Sequence, residues 1–122
     1  MHILYVAIGG ALGSVLRFLI SSWFQRNDYT AIWPLLLVNI LGSFLAAFLF
    51  SLPNKYTSPL ISFLLISGFC GGFTTFSAFS LESWQRIEQG QIFTAFLFVG
   101  ASLLSGLLAA WAGYVLARQF YV

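Results

Sequence analysis

Hydrogen-bond donors are scattered through otherwise apolar stretches of this sequence: Asn39, Ser43, Ser67, Thr74, Thr75, Ser77, Ser80, Ser102 and Ser105. Hydroxyl and carboxamide donors suit a small anion. Phe76 and Phe79 flank Ser77 in the same stretch, and the edge of a phenyl ring carries positive quadrupole that solvates an anion without holding it too tightly. Conduction needs that kind of moderate attraction. Carboxylates are missing at depth, since Asp28, Glu82 and Glu88 all fall at or beyond the ends of the apolar stretches. A proton-coupled pump normally relies on a carboxylate within the membrane.

Enzymatic chemistry has no foothold. No nucleophile stands with a base, and no carboxylate pair or cluster of metal-ligating side chains can be assembled. The single cysteine, Cys70, excludes an intrachain disulfide, and His2 is the only histidine. A net charge of +2 spread over five cations and three anions is no nucleic-acid footprint.

The elements that position these groups follow from hydropathy. The chain is 60% hydrophobic and 7% charged, against roughly 25% charged in soluble domains, so its solvent is a bilayer. A spanning helix takes about 20 mostly apolar residues. Four stretches qualify: 3–24, 31–52, 59–81 and 91–117, joined by turn-length connections that make successive helices antiparallel neighbours in one domain, 1–122. The first stretch lacks a basic leader and a small-residue cleavage site and is read as a retained span. Pro34 and Pro59 mark helix starts.

Continuous helices are the default in lipid, where a frayed backbone finds no water. The run Gly68-Phe69-Cys70-Gly71-Gly72-Phe73-Thr74-Thr75-Phe76-Ser77 invites an exception. Its glycines and threonines lower helix propensity, and the threonine hydroxyls can satisfy released backbone groups. This predicts a third helix broken at its midpoint. Isolated small pairs such as Gly9 with Gly13 and Ser102 with Gly106 read instead as close helix packing.

Asn39, deep in the second stretch, faces a partner helix or water; interhelical glue and a pore role are both open to it. Arg17 either snorkels to the interface or supplies positive potential to an anion vestibule. Cationic residues flank the membrane evenly, Lys55 and Arg118 on one side and Arg26 and Arg86 on the other. The rule that cytoplasmic loops hold the excess of Lys and Arg then sets no orientation. Insertion in both orientations, and an antiparallel homodimer, follow as an expectation.

Taken together, Gly68-Phe-Cys-Gly-Gly-Phe-Thr-Thr-Phe-Ser-Ala-Phe-Ser80, Val38-Asn39-Ile-Leu-Gly42-Ser43 and Gly9-Gly-Ala-Leu-Gly-Ser-Val-Leu-Arg17-Phe18 resemble the Fluc/CrcB fluoride channels. The likeness covers the whole chain in length, span count and motif order. It implies an all-α integral membrane protein of the cell's inner (plasma) membrane, a dual-topology homodimer whose two pores let cytoplasmic fluoride leak out passively. By position, Phe76, Phe79 and Asn39 match the pore residues, Ser77 the polar track beside them, Ser102 a pore-facing position of the fourth helix, and Arg17 the vestibule arginine. The backbone carbonyls of Gly71 and Thr74 fall where the family holds a structural sodium ion at the dimer interface. Ala78 and Gly106 depart from the family by lacking hydroxyls that some relatives carry there.

Two rival readings differ in class. A small dual-topology multidrug exporter has similar length but uses a membrane-embedded glutamate on its first helix, and this first span has none. A non-transporting membrane scaffold needs only the glycine packing.

Overall fold

The structure, a computed structural model, describes residues 1–121. Four apolar helical segments are long enough to cross a membrane: His2–Arg26, Ile32–Phe50, Pro59–Glu88 and Ile92–Tyr121. The first two are the helices α1 (His2–Arg26) and α2 (Ile32–Phe50). The third is composite. It opens as α3 (Pro59–Ser62), with Ser58 Oγ accepting the Ile61 N–H as an N-cap and Pro59 in the first turn. It continues as a π-helix over Phe63–Cys70 and one turn of α4 (Gly71–Phe73). Thr74 (φ −83°, ψ 158°) and Thr75 (φ −150°, ψ 120°) are extended, and helix resumes as α5 (Phe76–Glu88). The fourth segment is α6 (Ile92–Arg118), closed by a 3-10 turn at Gln119–Tyr121. All regular structure among the described residues is helical.

The third segment runs on to Glu88 instead of ending at Leu81. After Leu81 the residues turn polar, but an i,i+4 ion pair, Arg86 Nε to Glu82 Oε1 at 2.8 Å, carries the helix into the polar zone. Gly90, at φ 79°, then turns the chain into α6.

Packing divides the molecule into two layers. α1 lies along the π-helix and α4, while α2 lies along α6, with α5 also against α6. Both layers rest on glycine. An added Cβ at Gly13 would sit 2.2 Å from the Phe69 carbonyl oxygen, and one at Gly113 would sit 2.3 Å from that of Phe44. Without a hydrophobic drive between helices in lipid, such backbone-to-backbone approach is what associates them. Val38, Leu35, Cys70, Phe73, Ala95, Phe98 and Ala117 make a small core. Large apolar side chains elsewhere are exposed, including Leu12, Phe18, Leu104 and Trp111, as expected where lipid is the solvent.

Candidate functional site

The helical ladder of the third segment is cut where Thr74 and Thr75 turn extended, and two of the displaced N–H groups take side-chain partners. A continuous helix would give the Thr75 N–H to the Gly71 carbonyl; here it goes to Asn39 Oδ1 at 3.0 Å. The Ala78 N–H, owed to the Thr74 carbonyl, goes to Thr75 Oγ1 at 3.1 Å, so Thr75 caps α5. Asn39 Nδ2 also donates to the Thr75 carbonyl at 3.4 Å. An extended residue points its N–H and C=O to the same side, and one carboxamide meets both as a paired strand would. Thr74 is tied back by its hydroxyl, which donates to the Cys70 carbonyl at 2.8 Å.

The interruption opens a cleft of about 390 Å³ between α2, the third segment and α6. Asn39, Gly71, Thr74, Phe76, Phe79 and Ser102 all line it, together with Ser43, Cys70 and Gly106. Phe76 and Phe79 are one turn apart, with centroids at 5.7 Å and planes at 42°. Phe79 leans on the buried Phe98 at 5.3 Å, whereas Phe76 is 78% exposed. Ser102 Oγ is buried with no hydrogen-bond partner among the described residues. Buried hydroxyls are nearly always paired, so an orphan at the wall of a cleft is an exception that calls for an explanation.

Five residues singled out from sequence lie off the cleft: Ser67, Ser77, Ser80, Ser105 and Arg17. Ser77 is exposed, with its hydroxyl 3.2 Å from Thr75 Oγ1. Arg17 lies on the opposite side of the third segment, where its Nε donates to the Gly72 carbonyl at 3.2 Å. Ser14 Oγ reaches the same oxygen at 3.4 Å. Ser14 was not among the residues singled out; its i,i+3 spacing to Arg17, on the glycine-lined face of α1, is the signal that points to it. Glu82, the acid nearest the apolar interior, is held by Arg86.

Among the described residues no group of His, Cys, Asp or Glu side chains is arranged to hold a metal. Main-chain oxygens are a different matter. The helical donors of the Gly71 and Thr74 carbonyls have been diverted, to Asn39 and to the Thr75 hydroxyl. Around Gly71 an added Cβ would meet nothing within 4 Å, so this stretch of backbone is not packed against the rest of the protomer. Neutral carbonyl oxygens of this kind are donors that suit a hard cation.

Residues 4–114 match the profile of the family described as "CrcB-like protein, Camphor Resistance (CrcB)". A protein of Stutzerimonas stutzeri named fluoride-specific ion channel FluC is 45% identical over 93% of this chain and 94% of its own length. Proteins of the same name from Rhizobium meliloti and Flavobacterium psychrophilum are 45% and 41% identical, each covering 96% of this chain and 96% and 97% of themselves. With the family profile matched over nearly the whole length and four helices able to span a bilayer, this chain belongs to the CrcB-like family and is a multi-pass membrane protein.

Proposed function

We propose that this protein is a fluoride channel that lets the ion leak passively out of the cell across the inner membrane, and that it works as an antiparallel, dual-topology homodimer with two pores. The relatives' shared name supports the choice of ion. One observation carries the pathway: the Asn39–Thr75 contact holds the interrupted third helix so that Phe76, Phe79 and the orphan Ser102 hydroxyl share one cleft. In that cleft the Asn39 and Ser102 donors and the phenyl edges supply attraction from fixed groups without a countercharge, which lets an anion enter and leave.

Dimerisation is supported by the openness of the cleft. Phe76 is mostly exposed and Gly71 faces free space, and a partner copy inserted upside down would wall both. The even split of cations, Lys55 and Arg118 against Arg26 and Arg86, permits insertion either way. Gly71 and Thr74 carbonyls from two copies would hold a sodium ion at their seam. Such an ion supplies only a structural cross-link, and the path of fluoride is set by side chains of the chain itself. No catalytic role is assigned to any residue.

Fluoride efflux from proteoliposomes, followed with an ion electrode, tests the reading. Rapid fluoride release with chloride retained is expected; equal passage of chloride, or no flux from reconstituted dimer, would overturn it.

A further inference from the structure

We infer that Arg17 is a positioning residue: its Nε, with Ser14 Oγ beside it, caps the Gly72 carbonyl at the end of the first half of the third segment, and this bond rather than the guanidinium's charge is what the conducting geometry requires.

The interruption at Thr74 and Thr75 leaves carbonyls at the end of α4 without helical donors. Gly71 and Thr74 line the cleft. The Gly72 carbonyl faces the other way, into the half-buried seam with α1. In a continuous helix it would take the Phe76 N–H, but Phe76 is the first residue of α5. Arg17 Nε at 3.2 Å and Ser14 Oγ at 3.4 Å stand in.

The approach is built into α1. Gly72 lies so close to Gly10 that a Cβ on Gly72 would be 2.4 Å from the Gly10 carbonyl oxygen, and Gly9 and Gly13 press on the π-helix in the same way. Arg17 is one helical turn beyond Gly13, so this contact delivers its side chain to the carbonyl end of α4. A cation at the carbonyl end of a helix also meets the negative pole of its dipole. The only ion pair among the described residues is Arg86 with Glu82, so the Arg17 guanidinium is engaged with the backbone and not with a carboxylate. Moving the Gly72 carbonyl would release the end of α4, and with it the register of Thr75, Phe76 and Phe79.

The inference rests on the fluoride-channel reading only for its flux measurement, and Arg17→Gln and Arg17→Met test it. Glutamine places a donor nitrogen at the same position along the side chain as the arginine Nε, without charge; methionine places none. Flux for Arg17→Gln should stay within about threefold of the unmodified protein and fall about tenfold or more for Arg17→Met, the range expected for losing a charge-assisted bond to a half-buried acceptor. A direct readout is solid-state NMR of dimer in lipid, labelled with carbonyl-13C glycine and 15N phenylalanine. The sequence has two Gly–Phe pairs, Gly68–Phe69 and Gly72–Phe73, so two cross-peaks appear, with Gly68 as internal reference. The Gly72 carbonyl should shift in Arg17→Met and hold in Arg17→Gln. Equal loss of flux in both variants, or a Gly72 carbonyl that does not move in Arg17→Met, overturns the inference. If the carbonyl shifts as stated and the unmodified protein passes no fluoride, the positioning role stands and the channel reading falls.

Discussion

Asn39 meets Thr75 along both polar edges of its backbone, Oδ1 accepting the N–H at 3.0 Å and Nδ2 donating to the carbonyl at 3.4 Å. The two residues belong to different membrane segments, so this contact ties α2 to the interrupted third segment at the point where that segment has no helical bonds of its own. It therefore does two things at once. It satisfies a peptide that lipid would leave unpaired, and it turns the next residues, Phe76 and Phe79, into the cleft.

Asn39→Asp tests this contact. The carboxylate still accepts the Thr75 N–H but faces the Thr75 carbonyl with a second acceptor, and it places negative charge on an anion's path. Fluoride efflux from proteoliposomes should fall about tenfold or more, and the thermal midpoint in detergent should drop by the equivalent of about 1–3 kcal/mol, the cost of one unpaired buried group. Asn39→Leu should lower the midpoint further, because both edges of Thr75 are then orphaned. A leucine variant that conducts normally would remove the clamp from the mechanism.

Phe76 and Phe79 should part company on stability. Phe76 is 78% exposed in the protomer, so Phe76→Ile removes little buried contact within the chain. Phe79 packs on buried Phe98 at 5.3 Å, and truncating it strips part of that contact, worth about 1 kcal/mol for an aromatic pair. Both isoleucine variants should abolish fluoride flux while remaining dimeric on size exclusion; only Phe79→Ile should also melt earlier. Flux that survives in either variant would exclude that ring from the pathway.

The four membrane segments were legible because burying a backbone in lipid demands long apolar helices, and composition reports that demand directly. Where α5 ends was not. Hydropathy falls after Leu81, marking the edge of the membrane, but the Arg86–Glu82 pair keeps the chain helical to Glu88. Asn39 stood out as a polar group at depth, yet its partner 36 positions away leaves no local trace. Ser102 stood out only as one of several donors at depth and as half of a small pair; its distinction is an unpaired hydroxyl, which no spacing encodes. The least legible feature is the Gly72 carbonyl. Main-chain oxygens have no side-chain signature, and the π-helix over Phe63–Cys70 that leads to it has none either.

Ser102→Ala tests whether the orphan hydroxyl is kept for the ion. Deleting a buried hydroxyl without a partner removes a desolvated polar atom and breaks no bond, so the thermal midpoint should hold or rise, by up to the equivalent of about 1–2 kcal/mol. Fluoride flux should fall at the same time. Unchanged flux with raised stability would make Ser102 a packing residue and leave Asn39 as the deep donor of the cleft.

Two glycine substitutions weigh the α1 seam against intrinsic helix propensity. Gly13→Ala adds a Cβ 2.2 Å from the Phe69 carbonyl oxygen and 2.8 Å from the Phe73 nitrogen. Backbone atoms cannot rotate aside, so α1 must move away from the third segment, drawing Arg17 and Ser14 off the Gly72 carbonyl. The cost should reach about 2–3 kcal/mol, typical of overpacking a tight contact, and flux should fall with it. Gly100→Ala is the counterpart: it lies inside α6 with nothing within 4 Å of an added Cβ. There alanine should stabilise by up to about 1 kcal/mol through propensity alone and leave flux unchanged. Paired thermal midpoints and efflux rates decide the matter. If Gly13→Ala melted and conducted like Gly100→Ala, the backbone contact would not be what fixes α1 against the third segment, and the delivery of Arg17 to Gly72 would need another cause.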